Sequence, residues 1–298
     1  MSVTYLTDPS FLPLGPGVTL IHSNEDGLVA LSKPAGVKSH PNVSEDKPNS
    51  LLDAGYNYDG ERFFWTNEKG VEHEAFLINR LDSPTSGVIL LGLNPDISTA
   101  IKAVFTSHHV VKTYYAVVRG TPKVPSGTWT DRLKKDVYRG GKRVSGGATV
   151  PARTDYQTSK KITGGFPICL LRLKPITGRT HQLRVQCKTH SHPIVGDRTY
   201  GSFSFNREVK TETKVKRMLL HCRSTSMKYA FKGKSRAFEA HSEIPEAFND
   251  VLNFRPGLLL GKISSADNRD SSKASIPAAP ADTKKPTNLE GRRFRAPE

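Results

Sequence analysis

Asn79-Arg80-Leu81-Asp82-Ser83-Pro84-Thr85-Ser86-Gly87 joins two apolar runs, Ala75-Phe76-Leu77-Ile78 and Val88-Ile89-Leu90-Leu91. Short apolar runs bounded by Pro, Ser and Gly predict strand, tight turn, strand. Asp82 then stands at the tip of a connection that two buried strands hold in place. A carboxylate in that position is well placed for chemistry. Aspartates in turns also commonly bond only their own backbone, so this stretch alone leaves both roles open.

Working outward, Leu28-Val29-Ala30-Leu31 predicts a short buried strand stopped by Lys33-Pro34, and Lys112 to Val118 a strand rich in β-branched and aromatic residues. Asp96 to Thr106 predicts a helix, with Pro95 near its start and Ile97, Ala100, Ile101, Val104 and Phe105 along one face. A helical stretch is expected near Ser50–Ala54, a helix over Thr180–Thr189, and a last one over Pro245–Asn253. Further strands are expected at Thr154–Ser159, Ile168–Leu173, Leu219–Cys222 and Arg236–His241. Tyr138 to Gly147 holds four glycines and three basic residues. It reads as a mobile basic loop, or more plainly as a hairpin connection. Strands with uneven connections and three helices among them predict an α+β fold with a largely antiparallel sheet. After Gly261 the composition turns to Ser, Ala, Pro, Asp and Lys, too polar to bury a core. The expected organisation is a catalytic domain over residues 1–261 and a disordered basic tail over 262–298.

The 298 residues carry a formal net charge of +16. Between Asp131 and Arg184 there are 13 Lys/Arg against three acids. That balance points to a polyanionic partner, nucleic acid in preference to a membrane surface. Cys169, Cys187 and Cys222 are scattered without a C-x-x-C pair, so no metal site is expected and a reducing cytoplasm fits them. No leader is expected at the N-terminus, and no apolar run is long enough to span a bilayer. A Rossmann fingerprint and a P-loop are both missing.

A second stretch, Ile176-Thr177-Gly178-Arg179-Thr180-His181-Gln182-Leu183-Arg184-Val185, is followed by His192-Pro193-Ile194-Val195-Gly196-Asp197. With the first stretch, these segments resemble the RluA-type pseudouridine synthases, which carry H-R-L-D-x-x-T-S-G, G-R-T-H-Q-[IL]-R and H-P-I-x-G-D motifs. Lys33-Pro34-Ala35-Gly36 resembles that family's K-P-x-G motif, and Lys112 to Gly120 its K-x-Y-x-A-x-V-x-G strand. The resemblance runs from about Gly27 to Phe248.

It implies a mixed central sheet with helices and loops around a cleft. It also implies isomerisation of uridine to pseudouridine within RNA, rRNA or tRNA, with no cofactor and by base flipping. Asp82 matches the essential aspartate, Arg184 the arginine paired with it, and Tyr114 the tyrosine that stacks on the target uracil. Tyr115 then faces the core, because side chains alternate along a strand. Arg80 is expected to fill the gap left by the extruded base or to hold a flanking phosphate, and Lys112 to reach a phosphate. Arg179 and His181 are expected at a helix start as RNA-backbone or scaffold residues, Lys33 at the cleft rim, and Asp197 as a loop-stabilising residue.

Asn79 replaces the family's usual His. About 26 residues before the first motif leave no room for an S4 domain, so a stand-alone, monomeric catalytic domain is expected. A non-catalytic RNA-binding protein on the same fold is the alternative, which loss of Asp82 or Tyr114 would mark. A carboxylate glycosidase fits least, since that chemistry uses two acids about one bond.

Overall fold

The computed structural model describes residues 8–139 and 142–256, with side chains left undescribed over 135–146. The tail expected after Gly261 lies outside them. Among the described residues twelve strands belong to one curled sheet. They are β1 (Thr19–Ser23), β2 (Leu28–Lys33), β3 (Gly55–Asn57), β4 (Arg62–Thr66), β5 (Glu72–Leu77), β6 (Ser86–Gly92), β7 (Val111–Arg119), β8 (Ser126–Arg139), β9 (Lys142–Lys161), β10 (Ile168–Pro175), β11 (Leu220–Phe231) and β12 (Lys234–His241). Four α-helices accompany them: α1 (Pro95–Thr106), α2 (Gln182–Thr189), α3 (Phe203–Thr213) and α4 (Glu246–Leu252). None is long and apolar enough to cross a membrane.

The strand–turn–strand read from the sequence is β5 and β6, paired antiparallel with Leu77 opposite Leu91. Every residue of β6 is buried, as its unbroken apolar run requires. β6 also pairs antiparallel with β2 and, over Ser86 and Gly87, parallel with β11. That is the single parallel pairing among the described strands, so the sheet is mixed and largely antiparallel. The backbones of β6 and β11 come so close that a Cβ on Gly87 would lie 2.1 Å from the Cys222 carbonyl oxygen. Gly87 also has φ +114°, which L side chains rarely adopt.

α1 begins one residue earlier than expected. The Asn94 side chain accepts the Ile97 N–H at 3.0 Å and Pro95 fills the first turn. Other elements differ from the sequence reading. Residues 142–147 belong to a strand rather than a mobile loop, with Tyr138 opposite Arg143 and Asp136 opposite Ser145. The register shift between Lys134 and Asp136 falls where Gly146 and Gly147 supply the extra backbone. Gly140 and Gly141 lie outside the described residues. The helical turn expected near Ser50–Ala54 lies upstream, as a 3-10 helix over Ser44–Asn49. Leu51 and Leu52 are instead fully buried in extended chain that bridges to Lys38 and Leu14. α3 was not foreseen, and β11 and β12 form a longer hairpin than the two apolar segments suggested.

A buried polar chain crosses the junction of β6 and β11. Arg217 Nη2 donates to Ser86 Oγ at 2.6 Å, and Ser86 Oγ lies 2.8 Å from His221 Nδ1. His221 Nε2 lies 3.1 Å from the Ser242 carbonyl. The order of donors assigns a neutral imidazole protonated at Nε2. Burial lowers the His221 pKa from 6.5 to about 4. A native state that binds its proton later than the unfolded chain keeps this stability above pH 6.5 and loses it as pH falls towards 4. The loss is on the order of 3 kcal/mol. Urea midpoints for the native chain should drop across that window, and His221→Gln should flatten the drop. An identical pH dependence in both proteins would exclude His221 as the titrating group.

Candidate active site

The Asp82 turn is fixed from three sides. At its base, the Asn79 side chain accepts the Leu90 N–H at 2.9 Å and Ile78 N–H bonds the Leu90 carbonyl. The residue that departs from the family pattern therefore closes the hairpin. Next, Ser39 Oγ accepts the Leu81 N–H at 3.0 Å and donates to the Leu81 carbonyl at 2.7 Å. Thr85 N–H then bonds the Asp82 carbonyl at 2.9 Å. The Lys33–Gly36 loop holds the far side, with Gly36 N–H on the Ser83 carbonyl and Ser83 Oγ on the Gly36 carbonyl, both at 2.8 Å.

Lys33 does not stand at the rim as expected. It is fully buried, and its Nζ donates to the carbonyls of Val37, Pro34 and Ser83 at 2.7, 3.0 and 3.1 Å. Burial, and then the charge of Arg217, pull its pKa down to about 7. Three carbonyl acceptors use all three ammonium protons, so Lys33 braces the Asp82 turn and has none to offer a substrate.

Helix α2 supplies the cation. It starts at Gln182, two residues later than expected, because His181 sits in the left-handed region with φ +51°. Buried Gln182 and Gln186 fasten the helix to β8 and β9: Gln182 Nε2 donates to Thr154 Oγ1 at 2.9 Å, and Gln186 Nε2 to Asp131 Oδ2 at 2.7 Å. Arg184, 5% exposed, then donates from Nη1 to Asp82 Oδ2 at 3.0 Å. Its Nε and Nη2 form a fork on Asp197, at 2.7 and 3.0 Å. Burial disfavours the Arg184 charge, but Asp197 and Asp82 outweigh it and raise the guanidinium pKa. Burial would likewise raise Asp197; Arg184 and the N–H groups of Tyr200 and Thr199 bring its carboxyl below the usual value. The bracing expected of Asp197 is thus present, and with it a task the sequence did not show. The G-D dipeptide after H-P-I was the available signal.

Asp82 and Arg184 lie on the floor of a cleft of about 910 Å³, and Asp197 stands behind its lining. Tyr114 lines it from β7, while Tyr115, the next residue, does not. Burial holds the Tyr114 hydroxyl well above its ordinary pKa. Arg80 lines the cleft as an exposed side chain. Lys112 Nζ lies 5.6 Å from the Phe105 ring centroid, with its pKa lowered by burial. His181 contributes Nε2 at 3.8 Å from Asp82 Oδ1, a carboxylate neighbour that sequence spacing did not reveal, and its Nδ1 lies 3.1 Å from the Tyr200 hydroxyl. Arg179 also lines the cleft, and its Nε donates to the Pro151 carbonyl at 3.2 Å. Carboxylate, aromatic and buried cation thus come from three segments, at Asp82, Tyr114 and Arg184, spread over more than 100 residues.

The sequence pattern of the family described as RNA pseudouridylate synthase matches residues 27–189. A relative named tRNA pseudouridine synthase C, from Vibrio parahaemolyticus, is 30% identical over 226 residues, 72% of this chain and 87% of the relative. Its namesake from Pasteurella multocida is 34% identical over 206 residues, 65% of this chain and 79% of the relative. For the namesake from Pectobacterium carotovorum, 29% identical over 230 residues, the match spans 58% of the relative's length. Among solved structures, human RNA pseudouridylate synthase domain containing 4 superposes with a TM-score of 0.55 at 22% identity, covering 78% of this chain and 91% of that one. That likeness concerns the fold. The family match extends through both motif segments that meet at Asp82 and Arg184, and by it and its relatives the chain belongs to the RNA pseudouridylate synthase family.

Proposed function

We propose that this chain isomerises uridine to pseudouridine in tRNA, with Asp82 as the catalytic carboxylate. The observation that carries the reading is Asp82 on the cleft floor, 3.0 Å from the buried Arg184 guanidinium, in a cleft that Tyr114 also lines. The reaction breaks the C1′–N1 bond, turns the uracil and forms the C5–C1′ bond. C5 gives up a proton and N1 gains one, so nothing enters or leaves. Asp82 serves either by attacking the sugar or base or by taking a proton from the ribose. Arg184 orients it, and Asp197 holds Arg184.

Tyr114 offers the face on which an unstacked uracil lies. The target must leave its helix for the sugar to be reached, and Arg80 at the cleft surface takes the place it leaves. Lys112, Arg179 and His181 are assigned to the RNA backbone around it. The basic β8–β9 arm adds sequence-independent attraction through counterion release. The catalytic unit is residues 1–261, acting in the cytoplasm, with the tail 262–298 dispensable for chemistry. tRNA is favoured over rRNA by the names of the relatives.

Pseudouridines mapped across total tRNA and rRNA, from cells with and without this protein, test the reading. One or a few tRNA positions should revert to uridine. Reversion in rRNA alone would move the target, and no reversion anywhere would remove the activity.

A further inference from the structure

We propose that α3 and the loops beside it form a second RNA contact outside the catalytic cleft, one that takes a single-stranded segment by its phosphates and one base. The inference rests on the reading of the chain as an RNA-modifying enzyme. A separate cavity of about 310 Å³ is lined by Arg198, Arg207, Lys210 and Lys216, with Phe203 and Asn206. All four cations are exposed. Among the described residues none of them forms an ion pair, and no acid lines the cavity. Glu208 and Glu212 of the same helix are not among its lining residues.

The inner face of α3 is already satisfied. Phe205 and Val209 are buried, and Phe205 lies edge-on to Phe166 with the Arg119 guanidinium 5.3 Å from its centroid. Phe203 is therefore not needed for packing, yet it stands 63% exposed beside the four cations. An aromatic face next to a group of cations suits the alternation of base and phosphate in an unpaired strand. A membrane surface would call for a broader apolar face than one phenylalanine.

The cavity is also tied to the catalytic floor by short bonds. Asn206 accepts the Gly196 N–H at 2.9 Å through Oδ1 and donates to the Asp197 carbonyl at 2.9 Å through Nδ2. Asp197 holds Arg184, which holds Asp82. A strand held at α3 is thus set at a fixed position relative to the reacting carboxylate, which suits a contact that chooses which uridine enters.

The test uses the full chain and unfractionated tRNA, with filter binding over about 50–200 mM salt. Arg207→Ala/Lys210→Ala should lower affinity about tenfold at the low end and reduce the salt slope by about two, one for each phosphate contact. Phe203→Ala should cost about fivefold or more, as loss of a base stack does, with the slope unchanged. Lys228→Ala/Lys234→Ala, which removes two exposed charges from the β11–β12 hairpin, should bind like the native chain. Thermal melts establish that each variant is folded. Native affinity in both α3 variants overturns the contact, and so does an equal loss in the hairpin control, which would reveal a general charge effect or a surface meant for an acidic protein. The binding losses without any pseudouridine formation by the native chain would keep the contact and sink the proposed activity instead.

Discussion

Asp82→Asn should abolish pseudouridine formation, by a factor of at least about 10³, while the protein stays folded and keeps its affinity for RNA. The amide matches the carboxylate in size, and its oxygen can still accept the Arg184 Nη1–H bond now made at 3.0 Å. What disappears is the negative charge on which both routes depend. Arg184 retains its fork on Asp197, so the helix has no reason to move. Phosphate contacts supply most of the affinity and do not involve Asp82. Single-turnover assays beside binding measurements check this. Ready turnover by a folded Asp82→Asn protein would remove Asp82 from the chemistry.

Arg184→Ala is expected to cost both activity and stability. The guanidinium serves two carboxylates, and the more buried of them is Asp197, at 1% exposure. Removing the cation leaves that charge enclosed without its partner, a loss of roughly 3–5 kcal/mol in comparable buried pairs. Urea unfolding should show the change directly. Arg184→Lys separates the two effects. A point charge without the planar fork cannot bond both Asp197 oxygens and Asp82 together, so stability should return in part and turnover should not. Native stability and turnover in Arg184→Ala would refute the bridge.

The sequence announced the parts of this molecule that repeat a simple pattern. β2, β6 and β7 are largely apolar or β-branched runs, and α1 has an apolar face with Pro95 at its entrance. Asp82, Tyr114 and Arg184 were legible through their motifs, and the cleft brings all three together. Lys33 was misplaced because a lysine between a strand and a proline looks like surface. Only the fold shows three carbonyls converging on its ammonium. The second task of Asp197 and the closeness of His181 to Asp82 depend on segments that meet in space and carry no mark of it in spacing. α3 escaped notice because Phe203-Ser204-Phe205 places one phenylalanine inside and one outside, which blurs the helical period. The β8–β9 arm was hidden by its glycines, which mark a shift in strand register as readily as a loop.

The parallel join of β6 to β11 bears on the order in which the enzyme comes into being. Ser86 and His221 touch although they stand 135 positions apart in the sequence. At a translation rate of about 5–20 residues per second, β6 leaves the ribosome roughly 7–27 s before its partner strand. Through that interval the edge beside Gly87 is uncovered, an apolar strand open to any neighbouring chain. A nascent chain halted before β11 would carry Asp82 and Arg184 and still lack the strand that closes the sheet under them. Maturation of the catalytic floor is therefore timed by the arrival of the last hairpin, and a polysome crowded with half-made copies is where this protein is most exposed to aggregation.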